Sequence, residues 1–331
     1  PDSFGFCWQL PQFLKSGGIE YFVTQKLRWN DTNNFPYEAF WWRGLDGSEI
    51  FSFMSPPIGE NIEPVKMAKY AGDFQLKTGL KDAFWLPGVG DHGGGPTRDL
   101  LEIARVWQNS PFFPQLKFAT VEDYLSSISE AKNTAYPIWN DELYLEFHRG
   151  CYTSHGDQKF YNRRCEDLLF QAELFASVAA IATGAVYPKQ ELEIAWKKVL
   201  FNQFHDILPG SAIPEVYRDA NAAWREVEKV GWEVLETALS AISDRLILSP
   251  PAELLRRKNS RENASILKPI VVFNPLNWER SPVAAVSLGA FPQSYQWQVW
   301  DDSGRVLECQ MSDPPRPPLR RGEDDGGPPL R

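Results

Sequence analysis

Eight apolar residues, Val216, Ala220, Ala223, Val227, Val230, Val234, Ala238 and Ile242, recur at steps of three or four behind Pro214. An α-helix returns to one face about every 3.6 residues, so this run predicts a long helix with a single apolar stripe. Pro214 suits the first helical turn, where its missing N–H is not needed. A stripe this long has to be buried against something. Residues 161–182 carry Leu168, Leu169, Ala172, Phe175, Ala179 and Ala182 at helical spacing, and residues 191–205 read as another helix. Packed together, these runs predict a small helical bundle over residues 129–248, and core packing accounts for the stripe.

The flanking segments have a different texture. Over residues 1–128, aromatic and β-branched runs at 21–24 and 49–53 read as strands, with Asp46-Gly47-Ser48 as a turn before the second. Residues 97–108 place Leu100, Leu101, Ile103, Ala104 and Val106 among charges, a helical pattern. Alternating strand and helix predict an α/β layer. Residues 249–265 are charged and irregular and read as a linker. Residues 266–311 hold three strand-like runs at 270–273, 283–288 and 296–300, with turns at 274–277 and 301–304. Three strands do not close a sandwich, so this segment reads as the start of a β-sandwich domain. Residues 312–331, rich in Pro, Gly, Arg and Asp, are expected to be disordered.

The 331 residues suffice for two or three domains. The chain opens on Pro1 inside a motif-like run, which reads as a fragment or a processed chain. A net charge of −9 leaves no cationic footprint for phosphates, so nucleic acid is not an expected partner. No apolar run reaches the roughly 18 residues of a membrane span, and no membrane partner is expected. Thirteen tryptophans could stack on sugar rings, but for any single one the core reading is preferred. Cys7, Cys151, Cys165 and Cys309 are widely spaced, with neither a zinc-knuckle pattern nor a disulfide framework. They read as buried free thiols in a reducing compartment, which makes the cytoplasm the expected location.

Four stretches carry the candidate chemistry: residues 1–6, 88–96, 146–154 and 202–210. The second is glycine-rich, which permits close approach of backbone to a ligand. It lacks the Lys-Ser/Thr of a phosphate loop and the spacing of a dinucleotide fingerprint. Asp91 in this loop reads equally as a proton donor or acceptor and as a helix cap in a tight turn. In the fourth stretch, His205 and Asp206 are expected at a helix end, just before Pro209-Gly210. A His there could ligate a metal, or simply complement the helix dipole, and the residues alone favour the dipole.

Taken in order along the chain, these stretches resemble glycoside hydrolase family 38, the α-mannosidases, in the branch with bacterial and cytosolic or vacuolar enzymes. Residues 21–26, 40–47 and 272–278 share the likeness, which runs to about Met311. The resemblance implies a partial α/β-barrel catalytic domain, a helical-bundle middle domain and the start of a β-sandwich. It implies that Asp2 is both zinc ligand and catalytic nucleophile, that Phe4 is an aromatic beside the metal, and that Lys26 approaches the site. His205 matches a zinc ligand, Asp206 a residue that grips sugar hydroxyls, and Asp91 the acid/base. His92, where many relatives have Gly, is a departure that bears on the proton donor. His148, Arg149 and Tyr152 belong to a signature without an assigned role.

The chemistry suits these residue types. A retaining glycosidase sets two carboxylates roughly 5–5.5 Å apart, one attacking the anomeric carbon and one protonating the leaving oxygen. Zn²⁺ would favour the ionised nucleophile and clamp vicinal hydroxyls. The family also uses a His-x-Asp pair upstream of the nucleophile, which these 331 residues do not include. Two protein ligands fall short of a zinc site, so the chain by itself is expected to be inactive. The expected partners are α-mannoside oligosaccharides, and a homo-oligomer is compatible with the sequence. A non-catalytic or carbohydrate-binding remnant is the alternative, and another metal-dependent hydrolase on the same scaffold a weaker one.

Overall fold

A computed structural model describes residues 2–90, 94–131, 135–248, 269–284, 286 and 298–310. The chain divides into two compact units, one of residues 1–156 with 208–212, the other of residues 157–207 with 213–331.

The first unit is built on a mixed sheet. Its elements in order are α1 (Leu10–Ser16), β1 (Tyr21–Thr24), β2 (Ala39–Arg43), β3 (Glu49–Met54), α2 (Pro64–Thr78), α3 (Arg98–Gln108), α4 (Val121–Ser129) and β4 (Ile138–Trp139). The strand order is β1-β3-β2-β4. β1 runs parallel to β3, with Tyr21 opposite Phe51, while β2 pairs antiparallel with β3, Ala39 opposite Phe53. β4 lies parallel to β2.

Period-two alternation sorts the side chains onto two faces. Phe22, Phe40, Trp42, Ile50 and Met54 pack with Phe6, Leu27, Leu143, Leu145 and the α1 residues Leu10 and Leu14. Their neighbours Val23, Ala39, Trp41, Phe51 and Phe53 pack on the other face with Phe74 of α2 and Tyr124, Leu125 and Ile128 of α4. β3 is therefore buried on both sides, as a central strand covered by helices should be. The expected helix at 97–108 forms as α3, and the Thr97 hydroxyl caps it by accepting from the Leu100 N–H at 3.3 Å.

The second unit is the expected bundle of three helices, α5 (Gly156–Thr183), α6 (Lys189–Asn202) and α7 (Pro214–Ser243). Its core joins Cys165, Leu168, Leu169, Ala172 and Phe175 to Leu192, Ala195 and Val199 and to Trp224, Val227, Val234 and Ala238. Along α7 the buried positions are Tyr217, Ala220, Trp224, Val227, Gly231, Val234, Leu235 and Ala238. Apart from Leu235 they step strictly by three and four, a tighter seam than the aliphatic stripe suggests. Its bulky residues, Tyr217 and Trp224, fall in the first half, and Gly231 opens the second. A Cβ on Gly231 would stand 2.7 Å from Leu168 Cδ2, so α5 and α7 meet where one has no side chain.

Several expectations are corrected. α6 closes at Asn202, so His205 and Asp206 lie in the turns beyond the helix, not at its end. The apolar run 270–273 is not a strand, nor are the described residues of 283–288. Among the described residues of this segment, the strands are those of a short hairpin, β5 (Val299–Trp300) antiparallel to β6 (Val306–Leu307). Its turn is the one expected at 301–304, with Gly304 at φ +87° and Asp301 Oδ1 accepting from the Arg305 N–H at 2.8 Å. Of the four thiols, only Cys165 is buried; Cys7 and Cys309 are exposed, and no disulfide joins any of them. Asp91, His92, the linker at 249–265 and the tail at 312–331 lie outside the described residues.

Candidate active site

The site in the first unit grows from the loop that leaves β1. Thr24 ends the strand, and its hydroxyl accepts the Lys26 N–H at 3.0 Å, turning the chain into a single 3₁₀ turn, Lys26–Arg28. Lys26 is thereby directed inward and is only 5 % exposed. Burying an ammonium is costly unless charge or ring faces meet it. Here its Nζ lies 3.4 Å from the centroid of the Trp29 ring and 5.3 Å from that of Phe4. It reaches Asp2 Oδ1 at 3.2 Å, on a carboxylate that is 73 % exposed. The pair is thus buried at the cation and open at the anion.

Asp2 and Phe4 are held by the strand-like exchange between Phe6 and Leu143, whose N–H groups donate to each other's carbonyls at 2.9 and 3.0 Å. Gly5 sits at φ +129°, where an L side chain is strained, and a Cβ there would run into the Tyr152 hydroxyl, so a larger residue between Phe4 and Phe6 would displace that ring. A cleft of about 960 Å³ lies beside β1, with Asp2, Thr24, Gln25, Ser55 and Phe84 among its walls.

A second anchor comes from the segment that carries His148. The Glu146 carboxylate accepts the N–H groups of Asp31, Thr32 and Asn33 at 2.5, 2.7 and 3.0 Å, and the Thr32 hydroxyl as well. In return, the Glu146 N–H donates to Asn30 Oδ1 at 2.8 Å. The Thr32 hydroxyl, followed by the backbone donors, holds this carboxyl below its ordinary range. His148 then stacks on Phe4, the ring centroids 4.1 Å apart and the planes within 1°. It also lies 5.6 Å from Trp29. Burial, and then the Lys26 charge, push its imidazole below the usual histidine range. Its Nδ1 is buried and has no hydrogen-bond partner among the described residues.

The structure thus brings Asp2, Phe4 and Lys26 together. Trp29 and His148 complete the cluster; no sequence signal marked Trp29, and His148 stood out only by its motif. The glycine-rich loop is closed at its base by a bridge in which the Val89 N–H donates to the Gly94 carbonyl at 2.9 Å. His205 and Asp206 belong to the second unit, where the His205 ring lies 4.2 Å from that of Phe204 and the Asp206 carbonyl accepts from Tyr217 Oη at 3.3 Å. Among the described residues, no group of three His, Cys, Asp or Glu could hold a metal ion.

Comparison with known proteins agrees with this layout. Residues 1–142 match the glycosyl hydrolases family 38 N-terminal domain, and residues 146–242 the alpha mannosidase middle domain. Alpha-mannosidase 2C1 of Homo sapiens is 32 % identical over 289 residues, which is 86 % of this chain and 26 % of that protein. Alpha-mannosidase of Saccharomyces cerevisiae is 36 % identical over 239 residues, 66 % of this chain and 21 % of that protein. The crystal structure of an alpha-mannosidase from Enterococcus faecalis V583 shares the fold, with a TM-score of 0.55 at 22 % identity over 74 % of this chain and 29 % of that one. The chain therefore spans about a quarter of the length of the curated relatives it matches. Two consecutive domain models of one enzyme family, in order along most of its residues, place this chain in glycoside hydrolase family 38, the α-mannosidases.

Proposed function

We propose that this chain carries part of the active centre of a retaining α-mannosidase that removes terminal α-linked mannose from oligosaccharides. The observation that supports this best is the ion pair between the open carboxylate of Asp2 and the buried ammonium of Lys26, set at the edge of a cleft and walled by aromatic rings. Lys26 holds the carboxylate in one direction and leaves its other face to the substrate. Asp2 would attack the anomeric carbon, and a second carboxyl would protonate the departing oxygen and later deprotonate water. Asp91 is the residue proposed for that second role. Phe4 and Asp206 are proposed to contact the sugar, the first by its ring and the second through hydroxyl hydrogen bonds.

Zinc is proposed as the cofactor of the longer enzyme, with Asp2 and His205 as two of its ligands. When bound, it would polarise the sugar's vicinal hydroxyls. Two protein ligands are fewer than zinc sites use, and the described residues hold no cluster of three, so they do not build the site by themselves. The proposed domain order is a catalytic α/β region to residue 128, a helical middle region to 248, a linker to 265, the opening of a β domain to 311, and a tail. A cytoplasmic location is part of the proposal, on the wide spacing of the four cysteines. No described helix is long and apolar enough to cross a membrane.

The test is hydrolysis of an aryl α-mannoside by a protein expressed from the full reading frame that encodes this chain, with the aryl β-mannoside and α-glucoside as controls. Retained α-configuration in the first product is expected. Asp2→Ala is expected to cost at least about a thousandfold in kcat, as loss of a nucleophile does. Turnover that survives complete metal removal would reject the zinc assignment, and an unaffected Asp2→Ala variant would reject the nucleophile. The lack of a three-ligand cluster among the described residues favours a second reading for the 331 residues alone, a carbohydrate-binding fragment without catalysis. Measurable turnover by the isolated chain would dismiss it.

A further inference from the structure

We infer that His148 is a positioning residue of this site: its ring, flat on Phe4 and close to Trp29, braces the two aromatic faces that hold the Lys26 ammonium against Asp2. The inference rests on the reading of Asp2 and Lys26 as active-centre residues, but the contacts stand apart from any turnover.

Four observations converge. The Phe4 and His148 planes are parallel within 1° at 4.1 Å, so the imidazole presents a face to its neighbour. Its Nδ1 is buried without a hydrogen-bond partner among the described residues, while its ring meets both Phe4 and Trp29. Trp29, on whose face the ammonium lies 3.4 Å from the centroid, is itself 5.6 Å from the same imidazole. Finally, Glu146, two residues before His148, binds the N–H groups at 31, 32 and 33, just beyond Trp29. The backbone that carries the imidazole and the backbone that carries the indole are therefore fastened to each other. Lys26 then has a fixed floor, and its short reach to Asp2 follows from where that floor stands.

A neutral flat ring is enough for this role. That separates bracing from hydrogen bonding or proton transfer and sets the experiment. The 331-residue chain is acetylated with a small amine-reactive ester, and the rate at each lysine is read by peptide mass spectrometry. Lys229 and Lys197, with side chains 74 % and 71 % exposed, serve as internal references. His148→Ala is expected to raise the Lys26 rate about tenfold, the scale of a lost cation–π contact, without altering the references. His148→Phe, which restores a flat ring without nitrogen, is expected to return Lys26 to within about twofold of the unmodified chain. Phe4→Leu removes the stack from the other side and is expected to raise the Lys26 rate even if His148→Ala does not fold. An unchanged Lys26 rate in both Phe4→Leu and His148→Ala would overturn the inference. So would a His148→Phe chain that labels as fast as His148→Ala. Because no substrate is involved, failure of the longer enzyme to cleave α-mannosides would remove the proposed activity and leave this result standing.

Discussion

Glu146 shows how much a single carboxylate can organise. It is 6 % exposed, and its two oxygens gather three consecutive backbone N–H groups and a hydroxyl from a loop more than a hundred residues away. These donors favour the ionised form, so its folded-state pKa lies below the ordinary 4.5. A group whose pKa is depressed on folding adds stability that is present above its unfolded pKa and lost as pH falls through the folded one. The stability gap between the unmodified chain and Glu146→Gln should therefore be full at neutral pH. It should shrink steadily below about pH 4.5, in urea melts repeated across that range. A gap that stays constant into acid would show that the carboxylate's charge is not what the loop uses. None of these contacts was readable beforehand. The motif around His148 stood out as text, but a nest at 31–33 and an indole at 29 become its neighbours only through the folded path of the chain. Lys26 was singled out beforehand only by the resemblance, and the ring that carries its charge was not singled out at all.

Among the elements, α7 was the most legible, and the way its reading fell short is instructive. Counting small aliphatics finds the correct face and Pro214 as the start. It passes over Tyr217, Trp224 and Gly231, which alternate with Ala220, Val227 and Val234 to make the seam. Trp224 is fully buried, and its indole N–H donates to Gln158 Oε1 at 2.9 Å. Trp224→Ala should cost about 3–5 kcal/mol in chemical denaturation. Gly231→Val should cost about 1–3 kcal/mol, because the added atoms enter space already taken by Leu168. A neutral result at Gly231 would mean that α5 and α7 can separate freely at that level. The apolar run at 270–273 marks the opposite limit. Composition alone reads as a strand there, yet a strand requires a partner edge, and none of the described residues supplies one.

At the scale of the whole molecule, the family was legible because its signatures fall in order along most of the chain, whereas a complete metal site was not to be found among the described residues. Asp2 belongs to one unit and His205 to the other, and the chain spans about a quarter of the curated relatives. A strong chelator should therefore leave the melting temperature of the 331-residue chain unchanged. Calorimetric titration with zinc should show no tight stoichiometric site, since stability gained by binding follows RT ln(1 + [L]/Kd). A rise in melting temperature on adding micromolar zinc would show that the chain completes a ligand set around Asp2 or His205 with side chains other than those proposed.

The sheet also implies a sequence of events in time. β2 and β3 are neighbours in the chain, joined by a tight turn in which the Gly44 N–H donates to the Ser48 carbonyl at 2.8 Å, and they form the middle of the sheet. β1 pairs with β3 in parallel, and β4 reaches β2 only after the chain has passed through three helices. A hairpin closes in about 1–10 μs, while distant pairings wait on the entropy of longer loops. The strand that leads to Lys26 and the segment that leads to His148 are thus expected to dock after a ribbon that can assemble early. Until both have docked, the nascent chain has a central ribbon but no place for the buried ammonium to settle.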